Sequence, residues 1–202
     1  MSDSDYSVAD PMTRRLEIAG ERAVGLSYKS AFENGQDVPI GAVAMRGDAI
    51  VGNGYAVDNQ NGARHLHAEV VAIKHANVLG IAPDVLVSTV EACERCQVHL
   101  AQLQKLTTFA FILSRRDLVD HGLVTPRPSM TERAARGELG YNVVQLDNPQ
   151  LREMALAPIM RTSRDISTGT VQIDRDRLEQ DRAWLVDKHQ RALLRKSPSS
   201  NQ

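Results

Sequence analysis

Apolar residues recur at Leu16, Ala19, Ala23 and Leu26, and this spacing of three and four predicts a helix with one buried face. Asp10 and Pro11 supply an N-cap and a first helical position, and Gly35 stops the run after about six turns. From Ile40 to Met45 and from Ala49 to Gly54 the residues are small or β-branched, with turn chemistry between them at Arg46, Gly47 and Asp48, so a β-hairpin is predicted. A loop rich in Asn and Gly, Asp58 to Gly62, precedes HLHAEVVAIKHANVLG, a helix expected to turn Val70, Ile73 and Val78 inward and to end at Gly80. A strand from Val85 to Thr89, a helix starting near Cys93 with Leu100 and Leu103 inward, and a strand from Thr108 to Leu113 follow. Ser114 to Met130 reads as a loop with Pro126 and Pro128. A short helix, a strand near Val143, and helices at Pro149 to Met160 and Asp174 to Lys196 complete an α/β pattern.

In the last helix Leu178, Leu185 and Ala192 fall seven apart, with Val186 and Leu193 beside the later two. Two readings stand: a helix packed on its own domain, or one that docks a partner or second subunit. The pattern is too short for a coiled coil. The first ten residues and the final SPSSNQ hold little to bury and are expected to be disordered. The organisation expected is a polar N-terminus over 1–10, one domain over 11–160, a helical extension over 161–196 and a tail over 197–202.

With 202 residues, 42% of them hydrophobic, the chain can bury one good core but not two ordinary ones. Apolar runs are broken well before the roughly 18 positions of a membrane span, and the N-terminus is acidic rather than basic. A cytoplasmic protein with no membrane partner is expected. The only cysteines, Cys93 and Cys96, are too close for a useful disulfide, which fits a reducing compartment. The net charge of -1 provides no global positive field for phosphate backbones and favours small substrates. Arg115, Arg116, Arg127, Arg133 and Arg136 leave room for a local basic surface.

Cys93 and Cys96 form a C-x-x-C, which alone is ambiguous between zinc ligands, a redox pair and chance. A redox pair of the thioredoxin type follows the first strand of a βαβ unit, whereas this one opens a helix after the third predicted strand. Upstream, His67-Ala68-Glu69 opens another helix, so two helix N-termini can face one point and stabilise thiolates there. Two thiolates and an imidazole leave the fourth tetrahedral position of a zinc ion for water. A closed structural site would need a fourth ligand, for which His65, His75, His99 and His121 are candidates. His75 lies two turns, roughly 12 Å, along the helix from His67, too far to share a metal. Glu69 can stand near the metal without ligating it, and could carry a proton from the water to a leaving amine. The competing reading of Glu69 is a solvated residue in a helix's first turn.

These residues, in this order and spacing, resemble the cytidine and deoxycytidylate deaminase superfamily, whose signature is H-x-E followed by P-C-x-x-C. VPIGAVAMRGDAIVGNGY, HLHAEVVAI, VSTVEACERC and FAFIL extend the likeness to bacterial tRNA adenosine deaminases, guanine deaminases and related nucleobase deaminases, over Thr13 to Asp117. The resemblance implies a three-layer α/β/α cytidine-deaminase-like sandwich, here with extra C-terminal helices, and a homodimer. It implies zinc as the cofactor, held by His67, Cys93 and Cys96, with Glu69 as the catalytic proton shuttle.

The chain departs from the family in three places. Ala92 stands where the family has Pro, Ala56 where the adenosine and guanine deaminases have a base-contacting Asn, and Ala63, Arg64, His65 and Leu66 replace D-P-T-A. Asn53, Asp58 and Asn59 are candidates for a replacement base contact, so substrate-binding residues stay unassigned. Gln97, Val98 and His99, where tRNA-editing enzymes have small residues, argue against tRNA. Three functions remain in view: a hydrolytic deaminase of a base, nucleoside or nucleotide; a nucleic-acid deaminase; and a zinc-stabilised binding or assembly module without turnover.

Overall fold

A computed structural model describes residues 10–34, 38–57, 66–164 and 171–183. Helix α1 (Pro11–Asn34) leads into a hairpin of β1 (Gly41–Arg46) and β2 (Ala49–Tyr55). Then come α2 (Ala68–Val78), β3 (Val85–Val90), α3 (Glu94–Ala101) and β4 (Thr108–Leu113). After these lie α4 (Arg115–Asp120), α5 (Met130–Ala135), β5 (Asn142–Gln145), α6 (Pro149–Met160), β6 (Thr162–Arg164) and β7 (Val171–Ile173). Residues 175–183 form a last helix, α7.

Five strands make one mixed sheet in the order β2-β1-β3-β4-β5. The β1 strand pairs antiparallel with β2 and β3, while β3, β4 and β5 run parallel. Because side chains alternate along a strand, the sheet divides the core in two. Val43, Met45, Val87, Ala110 and Ile112 pack with residues of α1 and α6, whereas Ala42, Ala44, Leu86, Phe109 and Phe111 pack with residues of α2 and α3. This is the expected α/β/α sandwich.

Helix α2 sits unusually close to the sheet. A Cβ on Gly54 would lie 2.0 Å from the Ala68 carbonyl oxygen, and one on Gly52 would lie 2.2 Å from that of Ala72. Bare glycine backbone therefore lets the start of α2 rest on β2. The buried face of α2 is Ala68, Glu69, Val70, Ala72, Ile73 and Ala76. Val78, expected inward, is 85% exposed, because the face that follows from those small contacts turns it outward.

The expected loop from Ser114 to Met130 contains α4, a six-residue helix closed by a capping box of Ser114 and Asp117. The C-terminal segment begins with the unexpected β6–β7 hairpin. Leu178 on α7 is fully buried in the core on the α1 side, Arg175 donates to the Phe32 carbonyl at 2.8 Å, and Asp181 pairs with Arg161 at 2.7 Å. The stripe thus starts inside its own fold, while Leu185, Val186, Ala192 and Leu193 lie outside the described residues, as do residues 1–9 and 197–202.

Candidate functional site

Both N-cap positions that matter here belong to a ligand-type residue. His67 caps α2 and Cys93 caps α3, each in extended backbone and with no side-chain cap bond. The two helix starts meet on one side of the sheet. Cys93 Sγ lies 3.4 Å and Cys96 Sγ 3.3 Å from His67 Nδ1, and the two sulfurs are 3.6 Å apart. A tetrahedral ion with bonds of about 2.3 Å to sulfur and 2.0 Å to nitrogen asks for separations of about 3.6 to 3.8 Å. The three side chains fit a metal ion with little adjustment, and they are the one such group among the described residues.

The protonation of the cysteines points the same way. The hydrogen bond from Cys96 lowers Cys93 to about 3, with burial opposing and His67 assisting. Cys96 is pushed far above the ordinary thiol range by that same bond, by burial and by the Glu69 charge. A cation bound between the sulfurs favours the thiolate form of both.

Glu69, in the first turn of α2, is 2% exposed. Its Oε2 lies 3.4 Å from Cys96 Sγ, and its Oε1 accepts a hydrogen bond from Ser88 Oγ at 3.1 Å. Burial raises its carboxyl above the usual range, its own backbone N–H opposes this, and the Cys93 charge adds to it. A solvated first-turn glutamate is excluded by that burial.

Ser88 was not singled out from the sequence, yet a signal was present. It has the same parity as Leu86 in a strand whose six residues are all buried, so it had to face α2 as an isolated polar group needing a partner. Glu91 and Gln97 were also missed as structural partners. The Glu91 carboxylate accepts from the backbone N–H groups of Arg115, at 2.7 Å, and Met130, fastening α4 and α5 beside the metal-ligand turn.

The other histidines play different parts. His75 Nδ1 accepts from the Asn53 N–H at 3.1 Å, far from the donor set, and His99 lines a cleft beside it. That cleft, about 400 Å³, is walled by His67, Val70, Arg95, Cys96, Val98 and His99. Asn53 accepts a hydrogen bond from Arg22 Nε at 3.0 Å on its side-chain oxygen, on the α1 side of the hairpin. Ala56 is buried, with its carbonyl held by Ser30 at 2.9 Å. Asp58, Asn59, Ala63, Arg64 and His65 lie outside the described residues.

Four of the five arginines singled out in the sequence have acidic partners, and Arg115 donates to the Thr125 carbonyl at 3.1 and 3.2 Å. Arg127 pairs with Glu94 at 3.1 Å, Arg133 and Arg136 share Glu138, and Arg116 reaches Asp120 at 4.0 Å. No helix among the described residues is long and apolar enough to cross a membrane.

Comparison with known proteins follows this geometry. Residues 15–112 match the model of the cytidine and deoxycytidylate deaminase zinc-binding region. No protein of curated function matches the chain significantly. Among solved structures, NE0047 in complex with 2,6-diaminopurine is 18% identical, with a TM-score of 0.57 over 72% of this chain and 79% of that one. RibD of Acinetobacter baumannii is 15% identical, with a TM-score of 0.54 over 74% of this chain but only 39% of its own. Guanine deaminase from Bacillus subtilis is 25% identical over 53% of this chain and 69% of that one, with a TM-score of 0.46. Residues 15–112 are thus similar to the zinc-binding region of the cytidine and deoxycytidylate deaminases, and the chain shares its fold with NE0047 and RibD.

Proposed function

We propose that the protein is a zinc-dependent hydrolytic deaminase that removes an amino group from a nucleobase, nucleoside or nucleotide and releases ammonia. The observation that carries this reading is the buried Glu69 carboxylate, 3.4 Å from a sulfur of the metal-binding group and held on its far oxygen by Ser88. His67, Cys93 and Cys96 hold the zinc. When bound, the ion supplies Lewis acidity and brings the pKa of a water molecule down to about 7.

The chain's own residues then manage position and protons. Ser88 fixes Oε1 of Glu69, which leaves Oε2 turned to the donor set. There the carboxylate takes a proton from the attacking water and gives it up on the substrate. The new C–O bond forms at the amidine-like ring carbon and the exocyclic C–N bond breaks. One water proton ends on the ring nitrogen and the other on the departing amine. A carboxylate used this way must be able to hold a proton in mid-cycle.

A small substrate is favoured over a nucleic acid by the ion pairing of Arg116, Arg127, Arg133 and Arg136 with the protein's own carboxylates, which leaves little charge for a phosphate backbone. The reading includes a cytoplasmic homodimer. Leu178 is spent inside the fold, so the assembly needs a different surface from the start of the last helix.

The test is a panel of aminated bases, nucleosides and nucleotides, diaminopurines included, assayed for ammonia release by zinc-loaded protein. Release from at least one, abolished in Glu69→Gln at unchanged zinc content, is the expected outcome. Zinc binding without turnover on any member, in single-stranded nucleic acid as well, would shift the reading to a binding module.

A further inference from the structure

Cys93, a candidate metal ligand, makes no side-chain cap bond to α3, and its sulfur touches that helix at Cys96 Sγ, 3.6 Å away. Where that sulfur lies also depends on the backbone of the three-residue stretch Glu91, Ala92 and Cys93 between β3 and α3, which is tied to β4 by the Glu91 N–H and to α3 by the Cys93 carbonyl. Ala92 has no ring to restrict φ, and no hydrogen bond among the described residues uses its N–H. What holds this stretch comes from outside it. The Gln97 Nε2 donates to the Ala92 carbonyl at 2.8 Å, and Gln97 Oε1 accepts from Arg133. Arg133 is in turn held by Glu138 at 2.9 Å.

This arrangement admits only one orientation of the amide. The carbonyl of Ala92 demands the NH2 end, and the guanidinium of Arg133 demands the oxygen. Gln97 also lies one turn into α3 from Cys93, and its N–H donates to the Cys93 carbonyl at 2.9 Å. Backbone and side chain of one residue thus grip both peptide units flanking the Cys93 Cα. Those are the units whose rotation would swing Sγ out of the 3.4 and 3.6 Å separations that the donor set needs.

We infer that Gln97, oriented by Arg133, is a positioning residue for the metal centre: its side-chain amide fixes the Ala92–Cys93 backbone and so preorganises the Cys93 sulfur. The inference rests on the reading that His67, Cys93 and Cys96 bind zinc. Such outer partners of metal ligands are worth about 10- to 100-fold in metal affinity.

The experiment measures zinc affinity of the full chain by competition with a chromogenic chelator, independently of any substrate. Gln97→Met keeps the length of the side chain and removes its donor. It should weaken zinc binding by at least about 10-fold, while the melting curve of metal-free protein stays close to wild type. Adding Ala92→Pro fixes φ of residue 92 by ring closure and so stiffens the same turn from its N-terminal side, at no cost in backbone bonds. The double variant should recover affinity to within about two-fold of wild type, the usual scatter of additive substitutions.

If Gln97→Met binds zinc as wild type does, the inference is overturned. It is also overturned if affinity drops and Ala92→Pro fails to restore it, because the loss then runs through something other than this backbone. Should Gln97→Met melt early without metal, the double variant still decides, since proline restores the turn and not the lost contact with Arg133. Wild-type protein that binds no zinc would defeat the metal reading itself, a result distinct from either of these.

Discussion

Ser88 donates its hydroxyl proton to Oε1 of Glu69 across 3.1 Å, joining the middle strand of the sheet to the first turn of α2. The alternative acceptor, the Gly41 carbonyl, is at 3.5 Å and is the poorer partner. With a metal bound, Cys96 becomes a thiolate and can no longer donate to Glu69, so the carboxylate depends more heavily on Ser88. A hydrogen bond to a charged group is worth about 1.5–3 kcal/mol, and about 1.4 kcal/mol is tenfold in rate. Ser88→Ala should therefore cut kcat by roughly ten-fold or more, with KM and zinc content unchanged. Ser88→Thr, which keeps the hydroxyl, should stay closer to wild type. Equal kcat in Ser88→Ala would mean that packing alone orients Glu69.

The two cysteines should differ sharply in metal-free protein. Cys93 is lowered to about 3 by its hydrogen bond from Cys96 and is half-buried, whereas Cys96 is raised and only 1% exposed. Thiolate fraction and access both favour Cys93. Chelator-treated protein exposed to iodoacetamide at neutral pH should carry the label first on Cys93, read by peptide mass spectrometry, and added zinc should protect both. Preferential labelling of Cys96 would contradict the assigned proton.

Removing a donor should cost both metal and stability, because the site ties two helix starts together. Cys96→Ser is expected to lower zinc content well below one per chain and to lower the melting temperature of the zinc-treated protein. In metal-free samples the gap between variant and wild type should shrink. A Cys96→Ser protein with full zinc content would remove Cys96 from the donor set.

The meeting of His67, Glu69, Cys93 and Cys96 was legible in the sequence because each sits at or just after a helix start, where local spacing dictates direction. Ser88, Glu91 and Gln97 were not, since their partners lie 19 or more residues away or depend on how a turn closes. The position of α4 was written in the S-x-x-D of Ser114 and Asp117, but six residues are too few for periodicity to show. The hydrophobicity of Val78 predicts an inward residue, but the glycines of β2 decide which face of α2 touches the sheet, and they leave Val78 outside. The β6–β7 hairpin has strands of three residues, below the length at which alternation carries information.

Those glycines give the last prediction, which connects the sheet to the metal centre. In Gly54→Ala the new Cβ would fall 2.0 Å from the Ala68 carbonyl oxygen and 2.4 Å from the Ala72 nitrogen. Both obstacles are backbone, so no side chain can rotate away, and α2 itself must lift. Overpacking in a core costs about 1–3 kcal/mol when side chains can adjust, and this site is stiffer. In a chain of this size each kcal/mol is worth roughly 2–4 °C of melting temperature. Because His67 and Glu69 ride on the lifted end of α2, zinc affinity should fall together with stability. Gly25→Ala is the control: its Cβ would meet nothing within 4 Å, and it lies in the interior of α1. There alanine should raise the melting temperature slightly, by the roughly 0.5–1 kcal/mol that separates it from glycine in a helix, with zinc affinity unchanged. Gly54→Ala protein that melts and binds zinc as wild type does would show that α2 is not seated on β2 through this contact.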